Sequence, residues 1–178
     1  KKNLIQNNNL WIPEWWCKMS FLNVHKRNVL ERIPINKRDI TPGDIVLLRY
    51  KGKEGISEKI VLCLGGLAGK FATEDKLTAI DLDKFSPNVF KRFLGLLDKP
   101  KLVNEKRNGK DITSLLIEAK TEGERQQFYN TKVKKFLQYD AYRTYTDKKI
   151  SAVKLVSYDY SNTQLGLKDE DLLQDTDA

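Results

Sequence analysis

The stretch TPGDIVLLRYKGKEGISEKIVLCLGG, Thr41–Gly66, constrains the fold more than any other part of the chain. Two apolar runs, Ile45–Tyr50 and Lys59–Leu64, flank a loop carrying Gly52 and Gly55. Val, Ile, Leu and Tyr suit a pleated, half-buried surface, and the glycines relieve the backbone where it reverses. Thr41-Pro42-Gly43-Asp44 predicts a type II turn at the entry: Pro presets φ at the first central position and Gly accepts a positive φ at the second. The unit is expected to be the opening hairpin of a small β-barrel or a strongly bent sheet.

Downstream, Thr78–Leu82 reads as a third strand. Ser86-Pro87 reads as a helix start, with Ser as cap and Pro in the first turn. Val89, Phe90, Phe93, Leu94 and Leu97 then form an apolar stripe at helical spacing. Lys99–Lys110 reads as a basic linker and contact loop containing the turn signal Asn108-Gly109. Asp111 is expected to cap a helix bearing Ile112, Leu115, Leu116 and Ala119. Thr121 and Glu124 have capping-box spacing ahead of Phe128, Tyr129, Val133, Phe136 and Leu137, so one bent helix or two consecutive ones follow. Ile150–Tyr160 reads as the last strand, returning to the first hairpin to close the barrel.

The N-terminal segment holds all three tryptophans, Trp11, Trp15 and Trp16, followed by Phe21. An aromatic cluster on a terminal segment either folds back or docks on a neighbour. Docking is the expectation, since Trp desolvates a large rigid area at low entropic cost. Residues 24–40 are basic, and Pro34 stops any helix, so a short helix and an extended lead into Thr41 are expected.

Charge is divided unevenly along the 178 residues. The net +8 is the balance of −4 on the last 11 residues, KDEDLLQDTDA, and +12 on the 167 before them. Such a surface attracts phosphate or an acidic protein. Candidate contacts are Lys26, Arg27, Lys37, Arg38, Lys106, Arg107, Lys110 and Arg143, the last flanked by Tyr142 and Tyr145. Ordinary solvated charge is the competing account of each. With 40% hydrophobic and 31% charged residues the chain should bury a core and be soluble. No run approaches the ~18 apolar residues of a membrane span. No secretory signal is expected either.

Residues that could carry chemistry are few. His25 is the single histidine and has no nucleophile near it in sequence; an exposed or satisfied ring is expected. Cys17 and Cys63 with one histidine give no metal-ligand spacing. Asp81 and Asp83, and Glu74-Asp75, sit in turn-like contexts and are expected to face solvent. Gly65, Gly66, Gly69 and Lys70 miss the spacing of a phosphate loop, and Phe71 stands where its hydroxyl would be. No catalytic, cofactor or metal residue is nominated, and a non-enzymatic protein without a cofactor is expected.

Two resemblances add to this. Gly43-Asp44-Ile45-Val46 resembles the opening of small SH3-like barrels, including the MazF/PemK endoribonuclease toxins, although Ser57–Ile60 lacks their Arg-Pro pair. From Thr41 onward, the PGD-initiated hairpin, the Leu77–Leu97 strand and helix, and the late Ala141–Val156 strand are similar to small uncharacterised proteins of tailed bacteriophages. That similarity implies a virion component, made in the host cytoplasm, with other virion structural proteins as partners in a multi-copy assembly, DNA as a further contact and no membrane.

The expectation is therefore an α+β protein. Residues 1–40 would be an arm with the Trp-rich anchor. Residues 41–160 would be an SH3-like antiparallel barrel with two or three helices inserted at about 84–138. Residues 161–178 would be an acidic mobile tail. A nucleic-acid-binding barrel is the second functional expectation, and a degenerate MazF-like endoribonuclease the third.

Overall fold

The structure, a computed structural model, describes residues 14–67, 75–96 and 102–159. The chain is α+β, with helices α1 (Glu14–Arg27), α2 (Pro87–Leu96) and α3 (Glu122–Phe128). Strands β1 (Val29–Pro34), β2 (Ile45–Gly52), β3 (Gly55–Cys63), β4 (Lys76–Asp81), β7 (Tyr142–Thr146) and β8 (Ile150–Tyr158) make an antiparallel sheet in the order β1-β8-β2-β3-β4-β7. Strands β5 (Leu102–Arg107) and β6 (Lys110–Leu115) pair only with each other, as a separate ribbon.

The opening hairpin forms as its sequence dictates. Asp44 N–H donates to Thr41 O at 3.2 Å, closing the turn, and Gly43 takes φ +93°. Pairing then runs unbroken from Ile45↔Leu62 to Gly52↔Gly55, with Lys53 and Glu54 as the tip. Gly55, at φ +107°, absorbs the reversal. Gly43 is required twice over. A Cβ there would sit 1.7 Å from Leu115 O, because Leu115 N–H donates to Gly43 O at 3.1 Å and brings β6 onto the turn.

Each face of the sheet carries a buried cluster, so strand alternation sorts residues into two cores. Ile45, Leu47, Ile60, Leu62, Ile80 and Val156 face a helical layer that supplies Phe85, Phe90, Phe93, Tyr129 and Val133. Val46, Leu48, Val61, Cys63, Ala79 and Leu155 face the other way, with Ile33, Ile40, Ile112 and Tyr145. The second core lies within a curl of the sheet. In the strand order β8 and β7 stand four positions apart, a distance of about 19 Å if flat. A 3-10 turn, Asp147–Lys149, joins them directly, and four Cα steps reach at most ~14 Å. The sheet must therefore bend to bring its edges together.

A clamp holds that bend. Lys37 Nζ donates to Asp147 O (2.7 Å) and Ile150 O (3.0 Å) and pairs with the Asp147 carboxylate at 2.7 Å. Arg38 reaches the same carboxylate at 2.9 Å. These bonds hold the Asp147 carboxyl below the usual range, the Lys37 hydrogen bond being the largest cause.

Several expectations need correction. β8 does return to pair with β2, but β1 and β7 form no ladder with each other, so the sheet stays open instead of closing into a barrel. The stretch read as a linker and contact loop contains β5 and the start of β6, and Asn108-Gly109 is the ribbon's turn, both residues at positive φ (53° and 78°). The helix expected from Asp111 is β6 instead: Ile112 enters the inner core and Leu115 the helix-side core. Residues 29–34, placed in the arm, form an edge strand of the main sheet. Asp81 and Asp83 are buried, because the 3-10 turn Leu82–Lys84 tucks under α1 and both sheet faces are covered at β4.

The helix starts expected at Ser86 and Thr121 do form. Val89 N–H donates to Ser86 Oγ at 3.1 Å. The Thr121–Glu124 capping box is complete. Past Phe128 the helix loosens into a π turn (Tyr129–Val133) and a 3-10 turn (Lys134–Phe136), one bent helical segment. No helix among the described residues is long and apolar enough to cross a membrane.

Candidate functional site

The aromatic anchor is only partly in view. Trp11 lies outside the described residues, Trp15 and Trp16 fall on α1, and Phe21 is half-buried farther along the same helix. α1 belongs to the body, since Leu22 packs on the helix-side core and His25 is fully buried. His25 Nε2 faces Phe85 O at 3.0 Å and must donate there. Nδ1 then accepts from Tyr158 Oη at 2.7 Å, while Asn28 Nδ2 donates to the same hydroxyl at 3.2 Å. Burial lowers the ring's pKa, and this bonding fits the neutral Nε2–H form. The satisfied histidine is a strut between α1, β8 and the turn before α2.

The cations singled out in the sequence are mostly committed to the fold. Lys26 pairs with Glu58, Lys37 and Arg38 with Asp147, Lys106 with Asp111, Lys110 with Glu31, and Arg143 with Asp140. Arg27 is exposed. Arg107 is the deepest: both its terminal nitrogens lie 3.1 Å from an oxygen of Asp44, whose side chain is fully buried. Arg107 also donates to Asp39 O (2.6 Å) and Glu105 (3.0 Å). Asp44 completes its own turn by accepting from Thr41 N–H at 2.9 Å and from Thr41 Oγ1 at 3.2 Å. Desolvation raises the Asp44 pKa, and Arg107 counteracts it. A residue read from the sequence as a phosphate contact thus pins the ribbon to the opening turn.

That pin determines what the ribbon presents. β6 is the inner strand, with Ile112, Ser114 and Leu115 buried. Asn108 Nδ2 reaches Pro34 O at 3.3 Å and Lys110 reaches Glu31 at 2.9 Å, tying the turn end beside β1. β5 is the outer strand, exposed or nearly so along its whole length, and pairs with β6 alone among the described residues. Leu102 and Val103 are each 37% exposed, and Leu116, just past β6, is 44% exposed. One strand thus offers an unpaired backbone edge with apolar side chains beside it, the arrangement on which an added strand can dock.

The sequence reading missed two tyrosine–carboxylate pairs, one buried and one nearer the surface. Asp81 accepts from Tyr145 Oη, with Asp83 close by. Desolvation, then Asp83, pushes the Asp81 carboxyl up to about 6. Tyr142 donates to Glu122, which also accepts from Thr78 Oγ1 at 3.1 Å, joining α3 to the β4–β7 ladder. Among the described residues no group of three His, Cys, Asp or Glu side chains could hold a metal.

Exposed Arg32, Arg49, Lys51 and Lys154 also went unremarked. The only signal was a pair of cations two apart at the end of an apolar strand, Arg49 and Lys51. No protein-family model, curated protein or solved structure matches the chain.

Proposed function

We propose that the protein is a non-enzymatic assembly component, of the kind found in tailed-phage virions, that docks neighbouring structural proteins. The observation that carries this reading is β5, an outer strand whose far edge is unpaired among the described residues, with exposed Leu102 and Val103, held out on a ribbon fastened by the buried Arg107–Asp44 pair. The fastening matters because an edge held rigid loses little entropy when a partner strand adds to it. The strong bend of the sheet supports the SH3-like part of the reading, and the ribbon stands outside that sheet as a separate pair of strands. In this reading Trp11, ahead of α1, and Trp15 and Trp16, on it, form a second anchor, and a neighbouring virion protein supplies both the added strand and a groove for the indoles.

The test is incorporation into particles. Leu102→Lys with Val103→Lys places charge on the outer strand without touching either core, and Trp11→Ala removes one indole ahead of α1. Deleting residues 1–23 is unsuitable, since it removes Leu22 and most of the helix that carries His25. The double lysine variant should stay folded by circular dichroism yet be lost from purified particles. Incorporation of this folded variant at the native level contradicts the docking role of β5.

A further inference from the structure

The described residues cover the helix-side face of the sheet only in part. α1 ends over β3, where Lys26 pairs with Glu58. Beyond that point the same face carries Arg49 and Lys51 on β2, Lys154 on β8 and Arg32 on β1, all exposed. Register places them together. Arg49 and Lys51 follow Ile45 and Leu47 on alternate positions of β2, Arg49 pairs with Glu58, and Lys154 pairs with Leu47. Arg32 pairs with Val156, a helix-side core residue. Arg49 and Lys154 are both close enough to help lower the Glu58 pKa, after the Lys26 hydrogen bond and against its own desolvation. Five cations thus share the face with one carboxylate, which Lys26 already engages. Arg32, Arg49, Lys51 and Lys154 make no ion pair among the described residues. Ile56, 66% exposed on β3, lies at the rim opposite Lys51.

We infer that this basic face is the docking site of the chain's own acidic C-terminal segment, Lys168–Ala178. The segment holds Asp169, Glu170, Asp171, Asp175 and Asp177 around an apolar pair, Leu172-Leu173. With Glu58 engaged by Lys26, the four remaining cations face a segment of net charge −4, five acids less Lys168, and the leucines match Ile56. The reach suffices. β8 runs through the face and ends beside α1, where Asp159 N–H donates to Asn28 O at 2.7 Å. From there back to Lys154 is about 17 Å along the strand, and the residues from 160 to the first tail acid can span ~30 Å. Tethering gives a local concentration on the order of millimolar, so contacts weak in isolation hold the segment in place. The occupied face is closed to other polyanions. This inference concerns a different face from the β5 edge and does not depend on it.

The test uses the full chain with all five tail acids neutralised: Asp169→Asn, Glu170→Gln, Asp171→Asn, Asp175→Asn and Asp177→Asn. A 20-residue oligothymidylate serves as the probe. In low salt the neutralised chain should bind it at least ~10-fold tighter than the wild type, as removal of a tethered competitor requires. Adding Arg49→Gln and Lys154→Gln should remove that gain. In amide NMR spectra the neutralisation should move Arg32, Arg49, Lys51, Ile56 and Lys154, and high salt should move the same amides in the wild type. Equal probe affinity in both chains overturns the inference and leaves the face open to nucleic acid. A gain that persists in the Arg49/Lys154 variant, or amides that do not move, shows only a general field of the tail and overturns it as well.

Discussion

At the residue scale the buried charges decide stability, and their signs can be worked out. Arg107→Ala leaves the Asp44 carboxylate buried without its partner, a change that costs about 3–5 kcal/mol. Asp44 already has a raised pKa in the folded chain, and losing the guanidinium raises it further. A raised carboxyl pKa means that the native state binds the proton more readily than the unfolded chain, so stability is lost as pH rises through the native value. The deficit of Arg107→Ala in chemical denaturation should therefore be larger at pH 7.5 than at pH 4.5; equal deficits contradict the pairing. Asp81 obeys the same sign without a cation in contact. Its carboxyl is held at about 6 against an ordinary 3.8, so ionisation costs on the order of 3 kcal/mol across that window, at ~1.4 kcal/mol per unit. Asp81→Asn keeps an acceptor for Tyr145 and should be more stable than the wild type at pH 7.5, with the advantage shrinking as pH falls towards 4. An advantage that grows at low pH contradicts the account. His25 works in the opposite direction. Its pKa is lowered, so stability falls as pH drops below the ordinary 6.5, which is why the Asp81 effect is read as a difference between variant and wild type.

At the element scale the ribbon depends on Gly43. Any side chain there meets Leu115 O at 1.7 Å and takes a backbone φ of +93°. Gly43→Ala should cost at least about 2 kcal/mol and unseat β6 from the opening turn. In hydrogen exchange the Leu115 amide should lose protection well beyond the β2–β3 ladder; unchanged protection contradicts the seating. Elements with strong local chemistry were legible in the sequence: the Thr41–Asp44 turn, the β2–β3 hairpin, the Ser86 cap, the Thr121–Glu124 capping box and the Asn108-Gly109 turn. The ribbon around that last turn was not. β5 is exposed on both faces and gives no alternation. In β6, Ile112 and Leu115 go to different cores, which imitates the i, i+3 spacing of a helix. The ion pairs of the cations were not legible for a related reason. Lys37, Arg38 and Arg107 find their acids 110, 109 and 63 residues away, at Asp147 and Asp44. Only the curl of the sheet brings such pairs together, and no local pattern encodes it.

At the scale of the whole molecule, a bent sheet with two cores holds a projecting ribbon at one side and a basic face at another. Internal pairing engages most of the cations singled out in the sequence, and in the proposed reading the β5 edge is the surface that meets another protein. The most direct measurement is quantitative mass spectrometry of purified phage particles from cells producing this chain. The account predicts the protein at a fixed stoichiometric copy number and its loss when Leu102 and Val103 are both lysine. Absence from the particles, or traces that vary between preparations, would contradict it.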